Sequence, residues 1–186
     1  FEKPVFGHIS LILGPDHTKM SKRHGATSVD AYRRKGYIPE GLDNFLALLG
    51  WAPSGEKEIF TMEEAIREFS LEHVAKNPAI FDFKKLDWIN GQHIRRMTPE
   101  AFFDLAKPFM VEAGCMTGDE TGERLEWLRK VIATAQTQVD YGAQIPEKVA
   151  FYFTDEFEFE SEEAAAVLHE ETVPLVLRSL KAELEA

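Results

Sequence analysis

The segment Gly14–Gly25 combines the residue types that bind phosphate. Within it, residues 19–23 have the sequence Lys-Met-Ser-Lys-Arg, so that three cations surround one hydroxyl. Lysine, arginine and serine donate hydrogen bonds to phosphate oxygens, and glycines let the backbone approach a ligand closely. Pro15 and Asp16 predict a turn near the start of the segment. The pattern suits a phosphate-binding loop, but on spacing alone a solvated basic turn is favoured, because short basic runs are common.

An apolar run precedes this loop and predicts how it is positioned. Val5–Leu13 is predicted to form a short strand that is buried on both faces, as in a parallel sheet. Loops after the carboxyl ends of such strands commonly bind ligands in open α/β sheets. A single strand needs partners, and the chain begins without Met. We therefore expect a fragment whose partner strands belong to a removed N-terminal domain.

Charge is distributed unevenly along the 186 residues. The net charge is −11, but residues 1–99 contain 14 Lys and Arg against 13 Asp and Glu, whereas residues 100–186 contain 7 against 19. Contacts with a polyanion are therefore expected in the first half. Cys115 is the only cysteine, which excludes an intrachain disulfide and a cysteine-built zinc site. With no apolar run of membrane-spanning length and no secretory signal, we expect a cytoplasmic protein.

Capping residues and apolar periodicity predict a mainly helical chain after the loop. A helix at Val29–Lys35 is expected between Ser28 and the left-handed Gly36, and a second one from Pro39 to Gly50. Further helix starts are predicted at Thr61, Ser70, Asp82, Thr98, Ser161 and Pro174 and near Ile145-Pro146.

Several details of these helices are also predicted. The helix after Asp82 is expected to end at Asn90-Gly91, and Pro108 is expected to kink or shorten the helix after Thr98. The side chains expected to be buried or packed include Leu46, Ile66, Phe69, Trp88, His93, Phe151 and Tyr152.

Residues 19–23 resemble the KMSKS-type signature of class I aminoacyl-tRNA synthetases, in the KMSKR form of the glutamyl enzymes. The flanks Ile9–Gly14 and His24–Val29 are similar to the same family. Three later blocks resemble the stem-contact domain that follows this loop in bacterial-type glutamyl-tRNA synthetases. These blocks are Tyr32–Tyr37, Asn44–Trp51 and Phe81–Gly91. On these motifs the chain is identified as a member of that family.

The resemblance divides the chain into three parts. Residues 1–27 correspond to the end of the catalytic domain with the KMSKR loop, and residues 28–98 to the stem-contact domain. Residues 99–186 resemble, more weakly, the first part of the helical anticodon-binding region. The expected fold is mainly α, with a short strand and loop from the nucleotide-binding fold followed by two helical domains. Glutaminyl enzymes carry β-barrel anticodon domains and glutamyl-queuosine-type paralogues lack this tail, so both fit less well.

The resemblance implies ATP-dependent activation of glutamate and its transfer to tRNA-Glu. The amino-acid carboxylate attacks the α-phosphate and pyrophosphate leaves, a reaction that depends on positioning and charge neutralisation. Lys19, Ser21 and Lys22 are the expected catalytic residues, with Lys22 as the main phosphate contact. Met20 completes the expected ATP-binding set, whereas Arg23 is expected against the base of the loop. ATP enters with Mg²⁺ as a substrate, and the chain itself is expected to hold no metal.

Basic residues on the helices are the predicted contacts with the tRNA backbone. They are Arg33, Arg34, Lys35, Lys84, Lys85, Arg95 and Arg96. Residues 33–35 also complement the negative end of their helix, and this structural role is an equal alternative. Because residues 1–99 have only a small excess of positive charge, we expect weak binding of tRNA-Glu. We also expect the chain to be a monomer.

The HIGH-type motif of the family and its pocket for the glutamate side chain do not occur in the sequence. We therefore expect that this chain alone forms no adenylate. A tRNA-binding module without catalysis is the alternative function. A helical protein-interaction domain is a third, and it requires an exposed apolar patch.

Overall fold

A computed structural model shows a mainly α-helical chain, as the sequence predicts. The structure describes residues 2–21, 23, 28–53, 55, 57–154, 161–167 and 172–184. Two compact units are present, Phe1–Tyr152 and Phe153–Ala186. The predicted boundary after residue 98 falls inside the first unit, and the division into three domains stays a prediction. None of the helices in the described ranges is both long and apolar enough to cross a membrane.

In the first unit, two short parallel strands accompany a series of helices. The strands are β1 (Ile12–Leu13) and β2 (Ala79–Ile80), with Ile12 opposite Ala79 and Leu13 opposite Ile80. The helices are α1 (Val29–Lys35), α2 (Pro39–Gly50), α3 (Met62–Glu68), α4 (Phe83–Ile94), α5 (Pro99–Glu112), α6 (Gly122–Ala133) and α7 (Ile145–Val149). Single 3₁₀ turns occur at Leu71–His73, Gly142–Gln144 and Ala150–Phe153. The second unit contains α8 (Glu162–Val167) and α9 (Val173–Leu184).

Local capping explains where most of these helices begin. The Ser28 side chain accepts a hydrogen bond from the Ala31 N–H at the start of α1, and Gly36 ends that helix with φ of 84°. Thr61 and Glu64 form a capping box on α3. Asp82 accepts from two backbone N–H groups at the start of α4. These predicted caps are confirmed, and each one satisfies donors that the first helical turn leaves unpaired.

One core cluster of the first unit lies where α2 packs against α4, and further fully buried side chains lie on α5, α6 and α7. Leu42, Phe45 and Leu49 of α2 face Leu86 and Ile89 of α4. Tyr32 and Phe81 complete this buried cluster, which is called the central core below. Leu42, Phe45 and Leu49 confirm positions i, i+3 and i+7 of the predicted i, i+3, i+4, i+7 pattern. The prediction is wrong at i+4, because Leu46 is 43% exposed.

Two predicted boundaries are wrong because long-range contacts override local signals. The strand predicted at Val5–Leu13 is limited to Ile12–Leu13, where β2 supplies a partner, and Val5 is fully exposed. Helix α4 continues past Asn90-Gly91 to Ile94. Gly91 is buried, and a Cβ there would lie 2.2 Å from Asp140 Oδ1. The glycine thus admits a neighbouring segment to the helix instead of ending it.

Several side chains predicted to be buried lie at the surface. These are Ile66, Phe69, Trp88, Phe151 and Tyr152, which are between 40% and 72% exposed. Apolar periodicity predicts a face that favours burial, but it does not supply the element that covers it. Pro108 lies inside α5 without ending it.

The segment at residues 36–38 packs closely against the segment at residues 140–142, which lies about a hundred residues later in the chain. The Gly142 N–H donates to the Gly36 carbonyl at 3.0 Å, and the rings of Tyr37 and Tyr141 stack with centroids 5.1 Å apart. The buried Asn90 amide accepts from the Ile38 N–H at 3.0 Å and donates to the Asp140 carbonyl. These contacts hold α1, α2 and α4 against the segment before α7.

A second buried polar group, around Asn44, fixes the loop between α2 and α3. Asn44 Oδ1 accepts from the Phe60 N–H at 3.1 Å and from His93 Nε2 at 2.9 Å, and its Nδ2 donates to the Glu58 carbonyl at 2.9 Å. Because an amide oxygen only accepts, Nε2 of His93 carries the proton. Burial, together with the Arg96 charge, lowers the pKa of His93 and favours the neutral ring. The expected structural role of His93 agrees with these contacts.

Because His93 is buried, we expect the free energy of unfolding of the chain to depend on pH in the acidic range. Unfolded His93 takes up a proton near its ordinary pKa of about 6.5, whereas the folded ring resists it. The stabilisation by the neutral His93 ring is therefore fully present above that pH. It is lost as the pH falls through the lowered pKa of His93 in the folded state. We expect the free energy of unfolding, measured with urea, to fall less between pH 7.5 and pH 5.5 in His93→Gln than in the unchanged chain. His73→Gln, at an exposed site, is the control and should behave like the unchanged chain; equal pH dependence in all three would contradict this prediction.

Candidate functional site

The predicted phosphate loop folds back on the end of β1. The Gly14 N–H donates to the Thr18 carbonyl at 2.8 Å, and the His17 N–H donates to the Gly14 carbonyl at 3.0 Å. His17 has a φ of 60°, which closes the turn. Lys19 then pairs with Leu13 in an antiparallel bridge. The first half of the KMSKR motif is therefore held directly beside the strand that leads into the loop.

Side chains at the base of the loop stabilise this turn. Asp16 Oδ1 accepts from the backbone N–H of Thr18 at 3.0 Å and from its hydroxyl at 2.8 Å. Arg23 Nη2 donates to Thr18 Oγ1 at 2.9 Å and lies 3.7 Å from Asp16 Oδ2. Both charged side chains are about half exposed or more, so this ion pair contributes little to stability. Its effect is to orient the loop, in agreement with the position expected for Arg23.

The described residues of the KMSKR motif differ in their exposure to solvent. Lys19 and Ser21 are exposed, whereas Met20 is partly buried against the central core. The Met20 N–H donates to the Ile12 carbonyl at 3.1 Å, which fixes its backbone as well. Lys22, the predicted main phosphate contact, lies outside the described residues. Thr18, Lys19, Met20, Ser21 and Arg23 line a surface depression of about 470 Å³.

The predicted tRNA contacts on α1 are accessible. Arg33, Arg34 and Lys35 are all exposed in the last turn of the helix. Arg34 Nη1 lies 2.8 Å from Asp30 Oδ2 one turn earlier. Since an exposed i, i+4 pair contributes only about 0.3–0.5 kcal/mol, it leaves Arg34 available to a stronger anion. Both the structural and the RNA-binding roles fit this arrangement.

The basic residues on and after α4 fall into two groups. Lys84 and Arg96 are exposed. Lys85 Nζ lies 2.5 Å from Glu58 Oε1, and Arg95 Nη2 lies 3.3 Å from Asp140 Oδ1. Arg95 also donates from Nε to the Thr137 carbonyl at 3.3 Å. The second group therefore joins distant segments of the fold, and its role in tRNA binding stays a prediction.

Tyr37 and Asp87 form a contact that the sequence does not reveal, because 50 residues separate them. The Tyr37 hydroxyl donates to Asp87 Oδ1. Burial raises the pKa of Asp87, even though the bond from Tyr37 lowers it, and burial also raises the pKa of Tyr37. This hydrogen bond ties the start of α2 to α4 beside the exposed cations of α1. Across the described residues, no group of three His, Cys, Asp or Glu side chains is arranged to hold a metal ion.

Comparisons with known proteins agree with the motif and its surroundings. Residues 1–88 match the family model described as tRNA synthetases class I (E and Q), catalytic domain. Residues 101–186 match the family model described as anticodon binding domain. The chain belongs to the class I tRNA synthetase family. The loop at residues 14–25 and the central core up to Leu86 lie within the catalytic-domain match. The anticodon-binding match covers α6–α9 and all of α5 except its first two residues.

Relatives that are similar to this chain include bacterial glutamate–tRNA ligases. The Heliobacterium modesticaldum protein is 51% identical over 178 residues, which are 95% of this chain and 36% of the relative. The Bacillus subtilis protein is 41% identical over 98% of this chain and 38% of the relative. A crystal structure of the Elizabethkingia anophelis glutamate–tRNA synthetase has a TM-score of 0.76 and 32% identity, over 89% of this chain and 36% of that one. The chain thus spans little more than a third of the length of these relatives.

Arg95 and Arg96 are adjacent, but among the described contacts only those of Arg95 reach distant segments of the fold. Variants at the two positions should therefore differ in stability. We expect Arg95→Gln to lower the free energy of unfolding by about 1 kcal/mol, because it removes the contacts with Asp140 and Thr137 at a partly exposed site. Arg96→Gln should change stability by less than about 0.5 kcal/mol. Urea denaturation measures both. Equal midpoints for the two variants would show that the bonds of Arg95 do not stabilise the fold.

Proposed function

We propose that this chain is the part of a glutamate–tRNA ligase that carries the KMSKR loop and tRNA-contacting helices. The observation that carries the proposal is the loop itself, whose exposed Lys19 and Ser21 are fixed beside the carboxyl end of a parallel strand. The names of the relatives support glutamate as the amino acid and a tRNA as its acceptor, and tRNA-Glu is the acceptor that we propose. The proposed setting is the cytoplasm, and the proposed state is a monomer.

In the proposed reaction the loop neutralises charge as pyrophosphate leaves. Lys22 contacts the phosphates of Mg²⁺–ATP, and Lys19 and Ser21 assist it. The mechanism needs no covalent step by these side chains, because glutamate supplies the attacking carboxylate. Anchoring through Met20 and the Asp16–Arg23 contacts limits the conformations of the loop, so that less entropy is lost when it closes over ATP.

A chimera tests the assignment of Lys22. In it, this 186-residue sequence replaces the matched segment of the Heliobacterium modesticaldum relative. We expect glutamate-dependent pyrophosphate exchange, and a roughly ten- to 150-fold loss in Lys22→Ala if the charged hydrogen bond forms only in the transition state. Lys130→Ala, at an exposed site on α6, is the control.

The same assay distinguishes the fragment from a complete enzyme. The isolated chain should give no exchange above its own Lys22→Ala variant. Exchange by the isolated chain would contradict the proposal that the remaining catalytic residues lie elsewhere. A folded chimera without exchange, together with tRNA binding by the isolated chain, would favour the alternative function of a tRNA-binding module.

Salt dependence tests the tRNA contacts. We expect the logarithm of the tRNA association constant of the isolated chain to fall linearly with the logarithm of salt concentration, because phosphate contacts release counterions. The double variant Arg33→Gln/Lys35→Gln should reduce that slope by roughly 0.7–0.9 for each contact removed. Lys130→Gln should leave the slope unchanged. Filter binding over a series of salt concentrations gives the slopes, and binding that does not respond to salt would contradict phosphate contact.

A further inference from the structure

A cleft in the first unit lies between the end of α1 and α5. It has a volume of about 480 Å³, and the connection from α1 to α2 lines it through Gly36, Tyr37 and Ile38. A Cβ on Gly36 would lie 2.7 Å from Phe109 Cζ, so that α5 packs directly on the end of α1. This space is called the α1–α5 cleft below.

Part of the cleft lining has the composition of a groove for single-stranded nucleic acid. Arg33 and Arg34 are exposed and line the cleft, together with the rings of Tyr37 and Phe109. Proteins that bind single strands combine cations, which follow the backbone, with aromatic rings, on which bases stack. On these four residues alone, the cleft would admit a flexible RNA strand.

The wall that α5 forms has the opposite charge. Asp104, Pro108 and Glu112 follow one another at intervals of four residues, which places them on one face of α5, and all three line the cleft. Both carboxylates are exposed. Pro108 has no N–H to donate to the Asp104 carbonyl, so this carbonyl lacks its usual helical donor beside the carboxylates. The α5 wall therefore repels phosphate.

The balance of charge makes the interior of the cleft unfavourable for a phosphate. Its described lining carries three carboxylates and two guanidinium groups, which belong to Asp30, Asp104, Glu112, Arg33 and Arg34. Asp30 already lies 2.8 Å from Arg34. Because charges interact over about 10 Å at 0.1 M salt, a phosphate that the arginines draw into the cleft also meets the acids. RNA that approaches the arginines from outside the cleft stays farther from the α5 wall.

We infer that Asp104 and Glu112 are specificity-determining residues, which keep single-stranded RNA out of the α1–α5 cleft and reserve the arginines of α1 for the outer surface of a structured tRNA. Selectivity is often built from such repulsion as well as from attraction. A duplex presents its phosphates on a rigid surface, whereas an unpaired strand is flexible enough to enter a cleft. The inference rests on the proposed contact between α1 and tRNA and adds the residues that discriminate between kinds of RNA.

Binding measurements with two RNAs test this selectivity. The isolated chain and its Asp104→Asn/Glu112→Gln variant are titrated by fluorescence anisotropy at about 50 mM salt, where phosphate contacts are strong. The probes are a single-stranded oligouridylate and a tRNA-Glu transcript. We expect the variant to bind oligouridylate at least about threefold more tightly and the transcript less than about twofold more tightly, because only the single strand enters the cleft.

The matched control is Glu123→Gln/Glu126→Gln, which changes the net charge equally at exposed sites on α6 outside the described lining of the cleft. It should leave both affinities within about twofold of the unchanged chain. An equal gain in this control would assign the effect to net charge and would overturn the inference. Equal gains for the two RNAs in the variant at positions 104 and 112 would overturn it too, and so would unchanged binding of oligouridylate.

Removing the arginines provides the second arm of the test. In a chain that also carries Arg33→Gln/Arg34→Gln, the substitutions at positions 104 and 112 should change oligouridylate affinity by less than about 1.5-fold, because interacting residues give non-additive effects. A gain that persists without the arginines would overturn the inference. If Arg33→Gln/Arg34→Gln itself leaves tRNA binding unchanged, the proposed contact of α1 fails and the inference fails with it. If that variant weakens tRNA binding while the acid substitutions have no effect, the inference alone fails.

Discussion

The buried side-chain amide of Asn90 joins the parts of the first unit. Its oxygen holds the N–H of Ile38 at the start of α2, and its nitrogen holds the carbonyl of Asp140 before α7. Leaving the buried Ile38 N–H without a partner would cost about 1–3 kcal/mol. The approach depends on Gly41, where a Cβ would lie 2.8 Å from Asn90 Cα. Through this amide, segments matched by two separate family models form one compact unit.

Helix starts were predictable because their signals are local. Ser28, Thr61 and Asp82 each bond to backbone groups within three residues, and the sequence shows both partners together. The continuation of α4 past Gly91 was not predictable in the same way. The partner that requires this glycine is Asp140, some fifty residues away. The sequence pattern also identified apolar faces, but not that Ile66 and Phe69 would lie uncovered in this chain.

The chemistry of the candidate site was accessible from residue types, whereas its geometry was not. The residue types at positions 19–23 are compatible with phosphate binding, and the resemblance of the motif and its flanks to a known family favours it over a solvated basic turn. Nothing in the order of the residues indicates that Arg23 returns to Thr18 or that Arg95 pairs with Asp140, 45 residues away. A count of cations therefore overestimates the charge available to RNA. Ion pairs between distant segments, such as Arg95 with Asp140, determine which cations remain available to RNA.

Met20 has a further consequence for how this loop can vary. It lies between Lys19 and Ser21 in the motif, yet its side chain packs against the central core. The core therefore constrains the second position of the motif, whereas the proposed phosphate contact would constrain the positions around it. Oxidation of the Met20 thioether to the polar sulfoxide would detach the loop from its support without altering any charged group. Damage at a single sulfur atom would thus disable a site that keeps all of its cations.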